Sequence, residues 1–392
     1  MNLMELCTSC NELKTPCYIF DVDFLEEHVQ SIKASLPANT KLCYAMKANP
    51  FLVGILDKIV DSFEVCSPGE YRICQRNNIS NRKIILSGVY KNSEDIREII
   101  QMEEQPIYTV ESIKQLELLN DLSTEYQKQI NVILRLTSGN QFGMDATEIE
   151  RVFDQTNEFQ FLKWHGIQLY SGTQKHKLNK VQAELESLKS YIETLRSRYQ
   201  IELPCLEFGP GLGVQYFESD KPTLSIPEFS SVLKSLSFDG EIVLEMGRII
   251  VAGCGTYLTR VVDIKTNDMK HYAILDGGIH HVSYYGQFLG MKCPNIERIA
   301  LNESPEYSAQ WNLCGSLCTV ADVLVKDYES VLALNDVVAF KNVGAYSVTE
   351  GISLFLSRDL PQVNLYRKQS GIEVIRDTVE IDILNSIKER KI

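Results

Sequence analysis

Between residues 41 and 245 the chain repeats one pattern eight times: a short apolar or β-branched run, then a stretch with helical periodicity. The runs are "KLCYAM" (41–46), "SFEVC" (62–66), "KIILS" (83–87), "PIYTV" (106–110), "NVILRL" (131–136), "GIQLY" (166–170), "CLEF" (205–208) and "EIVLE" (241–245). The amphipathic stretches between them, such as "SIKQLELLNDL" and "VQAELESLKSYIETLRSRYQ", can carry the chain back along a sheet to a parallel neighbour. "SPGE" (67–70) reads as a capping box with Pro68 at the first helical position, and "SIPEF" (225–229) opens a helix the same way. Eight units over about 220 residues match a (β/α)8 TIM-type barrel better than a doubly wound sheet.

Beyond residue 257 the pattern changes. "YAILDGG", "NDVVAFKN" and "ISLFLS" are strand-like runs with turn signals and no long helices between them, which predicts a second, β-rich domain of sandwich or barrel-like form. "TPCYIFDVD" (15–23) is also strand-like but precedes the first barrel unit, so it is free to pair into that domain. The expected division is a barrel over 24–257 and a β-rich domain made of 1–23 and 258–392.

Composition narrows the function. Lys and Arg total 39 against 52 Asp and Glu, a net charge of -13, which disfavours nucleic acid or an anionic membrane as a partner. A small metabolite is the expected ligand. No window approaches 18 uninterrupted apolar residues, and "MNLMELCTSCNELK" has no basic segment followed by an apolar core, so a cytoplasmic protein is expected. Eleven scattered cysteines read as free thiols in a reducing compartment. Cys7 and Cys10 form a lone CxxC with no second pair, so no metal site is expected there. His280 and His281 in "DGGIHHV", read as strand neighbours, point to opposite faces and are taken as structural, one of them close to substrate.

In barrels of this kind the reacting groups sit at the C-terminal ends of the strands, and phosphate is commonly bound after strands seven and eight. The unusual residues fall there. Lys47 ends the first run, "GPGLG" (209–213) follows the seventh, and "EMGR" (245–248) ends the eighth. A glycine-rich turn lets backbone N–H groups approach a phosphate, and Arg248 adds a bidentate clamp. A lysine partly desolvated at the barrel mouth is expected to have a lowered pKa and to act as a Schiff-base nucleophile. Taken singly, these are a surface lysine, a tight turn and an ion-paired glutamate; together they suit pyridoxal phosphate.

The sequence resembles the barrel-fold (fold type III) pyridoxal-phosphate decarboxylases, the group of ornithine, diaminopimelate and arginine decarboxylases with their siderophore and antibiotic-pathway relatives. The resemblance runs through "TPCYIFDVD", "YAMKAN", "FEVCSPGE", "LRL", "GPGLGVQYF", "EMGR", "CGSLCTVADVL" and "GAYS" in that order. It implies that Lys47 holds the cofactor as a Schiff base, and that Gly209, Gly211, Gly213, Arg248 and Tyr346 hold its phosphate. Glu245 would face the pyridine nitrogen. It further implies a homodimer with shared active sites, in which Cys318 reaches the neighbouring subunit's site and reprotonates Cα, with Asp322 further along the same loop.

Two departures from that family bear on mechanism. "GIQLYSGTQ" aligns with a segment usually like "GLHxHIGSQ", so Tyr170 stands where a histidine stacks on the cofactor ring and Thr173 replaces the phosphate-binding serine. A tyrosine ring can stack and a threonine hydroxyl can donate. The residue after the catalytic cysteine, acidic in ornithine and diaminopimelate decarboxylases, is here Thr319. A free distal ammonium would then lack a charge-assisted partner worth roughly 1.5–3 kcal/mol, which argues against ornithine, lysine or arginine. Glu350 in "GAYSVTEG" lies nearby and either orients substrate or is simply solvated; Thr319, Asp322 and Glu350 are the candidate substrate residues. The expected activity is decarboxylation of an amino acid or a conjugated amino-acid derivative. The alternatives are a racemase on the same barrel, which Glu245 disfavours because racemases of this class usually set an arginine against the ring nitrogen, and a catalytically silent binding homologue.

Overall fold

The computed structural model describes residues 1–9, 13–301 and 308–387. Cys10, half of the CxxC pair, lies outside the described residues. Contacts divide the chain into two units: His28–Gly213 with Pro222–Ile250, and Met1–Glu27 with Val214–Lys221 and Val251–Ile392.

The first unit is a closed barrel of eight parallel strands, alongside β1 (Cys17–Asp21) of the other unit in chain order: β2 (Thr40–Ala45), β3 (Ser62–Val65), β4 (Ile84–Leu86), β5 (Ile107–Val110), β6 (Ile130–Leu136), β7 (Leu162–Tyr170), β8 (Cys205–Gly209) and β9 (Glu241–Met246). Closure comes from β9 pairing in parallel with β2, with Cys43 opposite Glu245. These strands are nearly continuous apolar runs because both faces of a parallel sheet are covered. Successive side chains alternate faces, so residues two apart share one. Cys43, Ile85, Ile133, Cys205 and Val243 form one apolar cluster. Two residues further along β4, β6, β8 and β9 come Ser87, Arg135, Glu207 and Glu245, all buried. The shared face therefore turns from apolar to polar toward the C-terminal ends of the strands, and the site is built on that polar layer.

Helix starts are set locally. The helix Ile226–Ser235 begins with a reciprocal Ser225–Glu228 capping box. At the helix Pro68–Arg76 the Ser67 hydroxyl accepts from the Glu70 N–H at 3.1 Å, but the Glu70 carboxylate reaches back one residue further, to the Cys66 N–H at 2.6 Å. That extra reach fixes the end of β3.

The second unit carries a mixed nine-stranded sheet. Its strands are β1 with β10 (Gly255–Asn267), β11 (Lys270–Leu275), β12 (Ile296–Ile299), β13 (Ala309–Cys314), β14 (Val323–Ser330), β15 (Val337–Lys341), β16 (Gln362–Arg367) and β17 (Gly371–Arg376). The order is β14-β13-β11-β10-β1-β16-β17, with β15 pairing to β10 and β12. The "TPCYIFDVD" segment supplies β1, antiparallel to β10 and parallel to β16. Cys17, Ile19, Leu258, Ile299, Val337 and Ala339 form a core cluster there. Residues 214–221, assigned to the barrel from sequence, group with this unit for a packing reason. Tyr216 and Phe217 pack on Tyr284, and Lys292 pairs with Asp220 at 3.1 Å.

Candidate active site

Lys47 follows β2 in a tight turn, Met46–Ala48, and not in the strand itself. The turn is held because Asn49 caps the next one, its Oδ1 accepting from the Phe51 N–H at 3.1 Å with Pro50 at the first position, while the Tyr44 hydroxyl donates to the Asn49 carbonyl at 3.0 Å. The Lys47 ammonium donates to Glu64 Oε2 at 2.7 Å and lies 3.8 Å from Cys66 Sγ. The expected lowering of its pKa is reversed. Burial pulls it down, but the Glu64 carboxylate, with Cys66 and Glu245, outweighs burial and holds the amine well above its ordinary value. The side chain is 45% exposed while that of Glu64 is 4% exposed, so the amine is reachable from solvent and its counter-ion is not.

Behind Lys47 the polar layer closes on itself. Gln168 on β7 donates through Nε2 to Glu207 Oε1 at 3.1 Å and also to Glu245. Glu207 is fully buried, and its Oε2 and the Gln168 Oε1 have no hydrogen-bond partner. Burial first, then the Glu245 charge and a hydrogen bond between the two carboxyl groups, push Glu207 well above the carboxylate range. Burial and the Glu64 charge raise Glu245 as well. Two like charges this close share a proton in preference to both ionising. Arg135 Nη1 donates to Glu111 at 3.1 Å, a buried pair beside this cluster.

Across the mouth, Arg248 Nε donates to Thr173 Oγ1 at 3.4 Å, and Arg248 is buried. Tyr170 is raised by burial and shares a hydrogen bond with Thr173. The glycine turn is shaped by close approach: a Cβ on Gly209 would lie 2.4 Å from the Tyr170 ring, and one on Gly211, at φ +61°, would lie 2.0 Å from the Gly172 carbonyl oxygen. The Lys175 N–H donates to the Gly211 carbonyl at 2.9 Å, locking the turn to the loop after β7. Gly213 is packed in the same way against Gln174. Lys47, Tyr170, Thr173, Gly209, Gly211, Gly213, Glu245 and Arg248 thus lie together at one end of the barrel.

The remaining candidates belong to the sheet unit. Cys318 and Thr319 lie on the loop between β13 and β14, with Cys318 exposed and Val320 97% exposed at its tip. Asp322 anchors the base of that loop: its Oδ1 accepts from the Ile279 N–H at 2.9 Å and its Oδ2 from the Leu317 N–H at 2.8 Å. Each carboxylate oxygen thus holds one backbone N–H of the loop's surroundings, and Asp322 lines a cavity together with Thr319. Tyr346 holds a left-handed backbone, φ +68°, immediately before the short helix Ser347–Glu350, where Glu350 is exposed. Strain of this kind in a tyrosine persists where the surroundings enforce it, commonly at functional sites. His280 and His281 lie on a turn, not a strand, and their rings approach to 3.7 Å between centroids. His281 donates from Nε2 to the Asp359 carbonyl and accepts from the Tyr257 hydroxyl at Nδ1. Among the described residues no cluster of three or more His, Cys, Asp or Glu could hold a metal.

Glu64, Cys66, Arg135, Gln168 and Glu207 were not singled out from sequence. A signal existed: "FEVC" and "CLEF" each place an acid inside an otherwise apolar parallel-strand run, where burial demands a partner.

A parallel (β/α)8 barrel with a lysine, a proton-sharing acid pair and an arginine–glycine cradle at its C-terminal mouth is the arrangement of a cofactor-dependent enzyme acting on a small molecule. The chain belongs to the family described as pyridoxal-dependent decarboxylase, pyridoxal binding domain, which residues 22–252 match. It is 27% identical to L-glutamyl-[BtrI acyl-carrier protein] decarboxylase of Niallia circulans, over 96% of this chain and 94% of that one. It is 28% identical to 2-[(L-alanin-3-ylcarbamoyl)methyl]-2-hydroxybutanedioate decarboxylase of Staphylococcus aureus, over 88% and 92%. The fold is shared with diaminopimelate decarboxylase of M. jannaschii in co-complex with L-lysine: TM-score 0.87, 22% identity, 99% of this chain and 95% of that one. The protein is a pyridoxal-phosphate-dependent decarboxylase, a carboxy-lyase acting on an amino acid or a conjugated amino-acid derivative. Its residues fit the cofactor: an accessible amine, a buried acid for the ring nitrogen, a flat ring in Tyr170, and a cradle that a Cβ at Gly209 or Gly211 would fill.

Proposed function

We propose that this decarboxylase takes an amino acid whose far end is an acylated amine or a neutral or acidic group, and that it works in the cytoplasm as a homodimer with shared sites. Bound pyridoxal phosphate supplies an electron sink for the pair released when carbon dioxide leaves Cα. Lys47 would hold the cofactor through its amine, which the structure leaves reachable from solvent. Glu245 would meet the ring nitrogen and keep a proton on it, its carboxyl group oriented by Gln168 and Glu207. Tyr170 would stack on the ring, and Thr173, Arg248, Tyr346 and the turn Gly209, Gly211 and Gly213 would hold the phosphate. Cys318 on its exposed loop returns a proton to Cα in the neighbouring subunit's site.

The observation that carries the substrate reading is Thr319 beside Cys318, since a hydroxyl cannot neutralise a buried ammonium. Two relatives named for conjugated substrates support it. The exposed tip formed by Cys318 and Val320 supports a partner that covers it. Among the described residues no helix is long and apolar enough to cross a membrane, and ten cysteines are free thiols, which suits a reducing compartment. The test is carbon dioxide release from the holoenzyme, comparing free ornithine and lysine with distally acylated counterparts. The acylated compounds should be turned over at least about tenfold more efficiently, the discrimination expected of one missing charge-assisted hydrogen bond. Efficient turnover of free ornithine or lysine, lost in Glu350→Gln, would place the missing carboxylate at Glu350 and overturn the reading.

A further inference from the structure

Beside the Lys47 cluster lies a cavity of about 180 Å3 between the ends of β3 and β4 and the helices Pro68–Arg76 and Ser93–Gln101. Cys66 belongs to both places: its sulfur is 3.8 Å from Lys47 Nζ and its side chain lines the cavity. Leu86, Tyr71, Ile96, Ile99 and Met102 make the walls largely apolar. Cys66 is thus the point at which the reacting amine and the apolar slot adjoin.

The charge in that slot is unmatched. Lys91 lines it, half-buried, and its ammonium donates only to the Gly88 carbonyl, at 2.9 Å. Among the described residues no carboxylate lies within ion-pair distance of Lys91 or of Arg72, which lines the same cavity. Burial lowers the Lys91 pKa to about 8, with Glu111 and Cys66 opposing the fall and Arg135 deepening it. Asp95 and Glu98 also line the cavity, but Glu98 is exposed and Asp95 half-buried, so water can solvate both. The group with unmet demand is the desolvated cation.

We propose that this cavity receives the far end of the substrate and that Lys91 pairs with a terminal carboxylate there. The inference rests on the substrate reading above and narrows it, from a neutral or acidic far end to an acidic one with a short apolar stem. Lys91 acts as a specificity residue: it selects the tail and touches no reacting atom.

The test compares N5-succinyl-L-ornithine with N5-butyryl-L-ornithine, alike in length and differing in a terminal carboxylate, as substrates of the holoenzyme. The succinyl compound should show a KM at least about tenfold lower, as one charge-assisted hydrogen bond provides, with similar kcat. Lys91→Gln should abolish the difference and Lys91→Arg should keep it. In the unmodified enzyme the difference should fade as pH rises through about 8 and Lys91 loses its charge; Glu111, Arg135, Cys66, Tyr71, Arg72, Tyr90, Asp95 and Glu98 are the other titratable groups facing it. Equal KM values, or a difference that Lys91→Gln leaves intact, overturn the inference. If free ornithine is turned over and neither acyl compound is, the substrate reading has failed, and glutarate decides the cavity separately. Calorimetric glutarate binding to the holoenzyme that Lys91→Gln removes and Lys91→Arg retains upholds it; no binding, or binding indifferent to Lys91, overturns it.

Discussion

The barrel mouth and the loop between β13 and β14 hold their reactive residues in opposite ways. At the mouth, Lys47, Glu64, Gln168, Glu207 and Glu245 come from four strands and one turn of a single chain, Lys47 bonded to Glu64 and Gln168 to Glu207 and Glu245. On the loop, Cys318 and Val320 project from a base that Asp322 clamps through two backbone N–H groups, and the tip is left to solvent. Strands set the first group by register, so its geometry is complete before anything binds. The loop is rigid at its foot and open at its end, the form expected of a residue that completes a site on another copy of the chain.

The sharpest way to break that comparison is to damage each region and mix the products. Lys47→Ala should abolish both turnover and the pyridoxyl group that borohydride fixes on the protein, since Lys47 is the solvent-reachable amine paired to Glu64 at the barrel mouth. Cys318→Ala should abolish most turnover but leave the borohydride-fixed group on Lys47, found by peptide mass spectrometry. Mixing the two under exchange should restore about a quarter of wild-type activity, because half the dimers are mixed and each has one intact site. A mixture that exchanges subunits yet stays inactive would return Cys318 to its own chain.

A smaller effect probes the loop alone. Thr319→Asp supplies an anion beside Cys318 and should shift the preference toward free ornithine over its acylated form by roughly 10- to 100-fold, the worth of one charge-assisted hydrogen bond at 1.5–3 kcal/mol. The ratio of kcat/KM values for the two compounds checks it. An unchanged ratio would mean that the far end of the substrate does not pass Thr319.

The same contrast explains what the sequence made legible. All eight barrel strands lie at the expected runs because buried parallel strands are short, apolar and punctuated by helix caps. Lys47, Glu245 and Arg248 stand out because each follows or ends such a run. Glu64 and Glu207 are hidden inside theirs, and only the alternation of faces puts them beside Glu245. The lowered pKa expected for Lys47 failed for that reason: a lone lysine was considered without the acid two strand positions inside "FEVC". On the loops there is no periodicity to extrapolate. Asp322 looks like a substrate ligand in sequence, and nothing in its neighbours announces the structural role it also has, accepting from the Ile279 and Leu317 N–H groups. The histidine pair sits on a turn where strand alternation does not apply, so the two rings approach each other in place of pointing to opposite faces.

The finest test separates the buried acid pair from everything exposed, and it reads stability in the cofactor-free protein. Glu207 has a folded pKa well above its ordinary value, from burial first and then from Glu245. The folded state therefore keeps a proton that the unfolded chain gives up near pH 4.3. Stability from this group is fully present at and below the ordinary carboxylate range, and it falls as pH rises through the raised folded value. Glu245, also raised, has the same sign; Glu64, held low by Lys47 against its burial, has the opposite one. Glu207→Gln keeps a hydrogen-bonding amide of the same length and removes the proton that must be held. The variant should be more stable than wild type at pH 8 by about 1–3 kcal/mol, the usual penalty of a buried polar group left without a partner. The gain should shrink toward pH 5, where wild-type Glu207 carries its proton. Thermal unfolding of both proteins across that range measures it. A gain independent of pH would mean that only packing had changed, and a loss at every pH would mean that the Glu207 carboxylate, ionised, is itself a needed partner of Gln168.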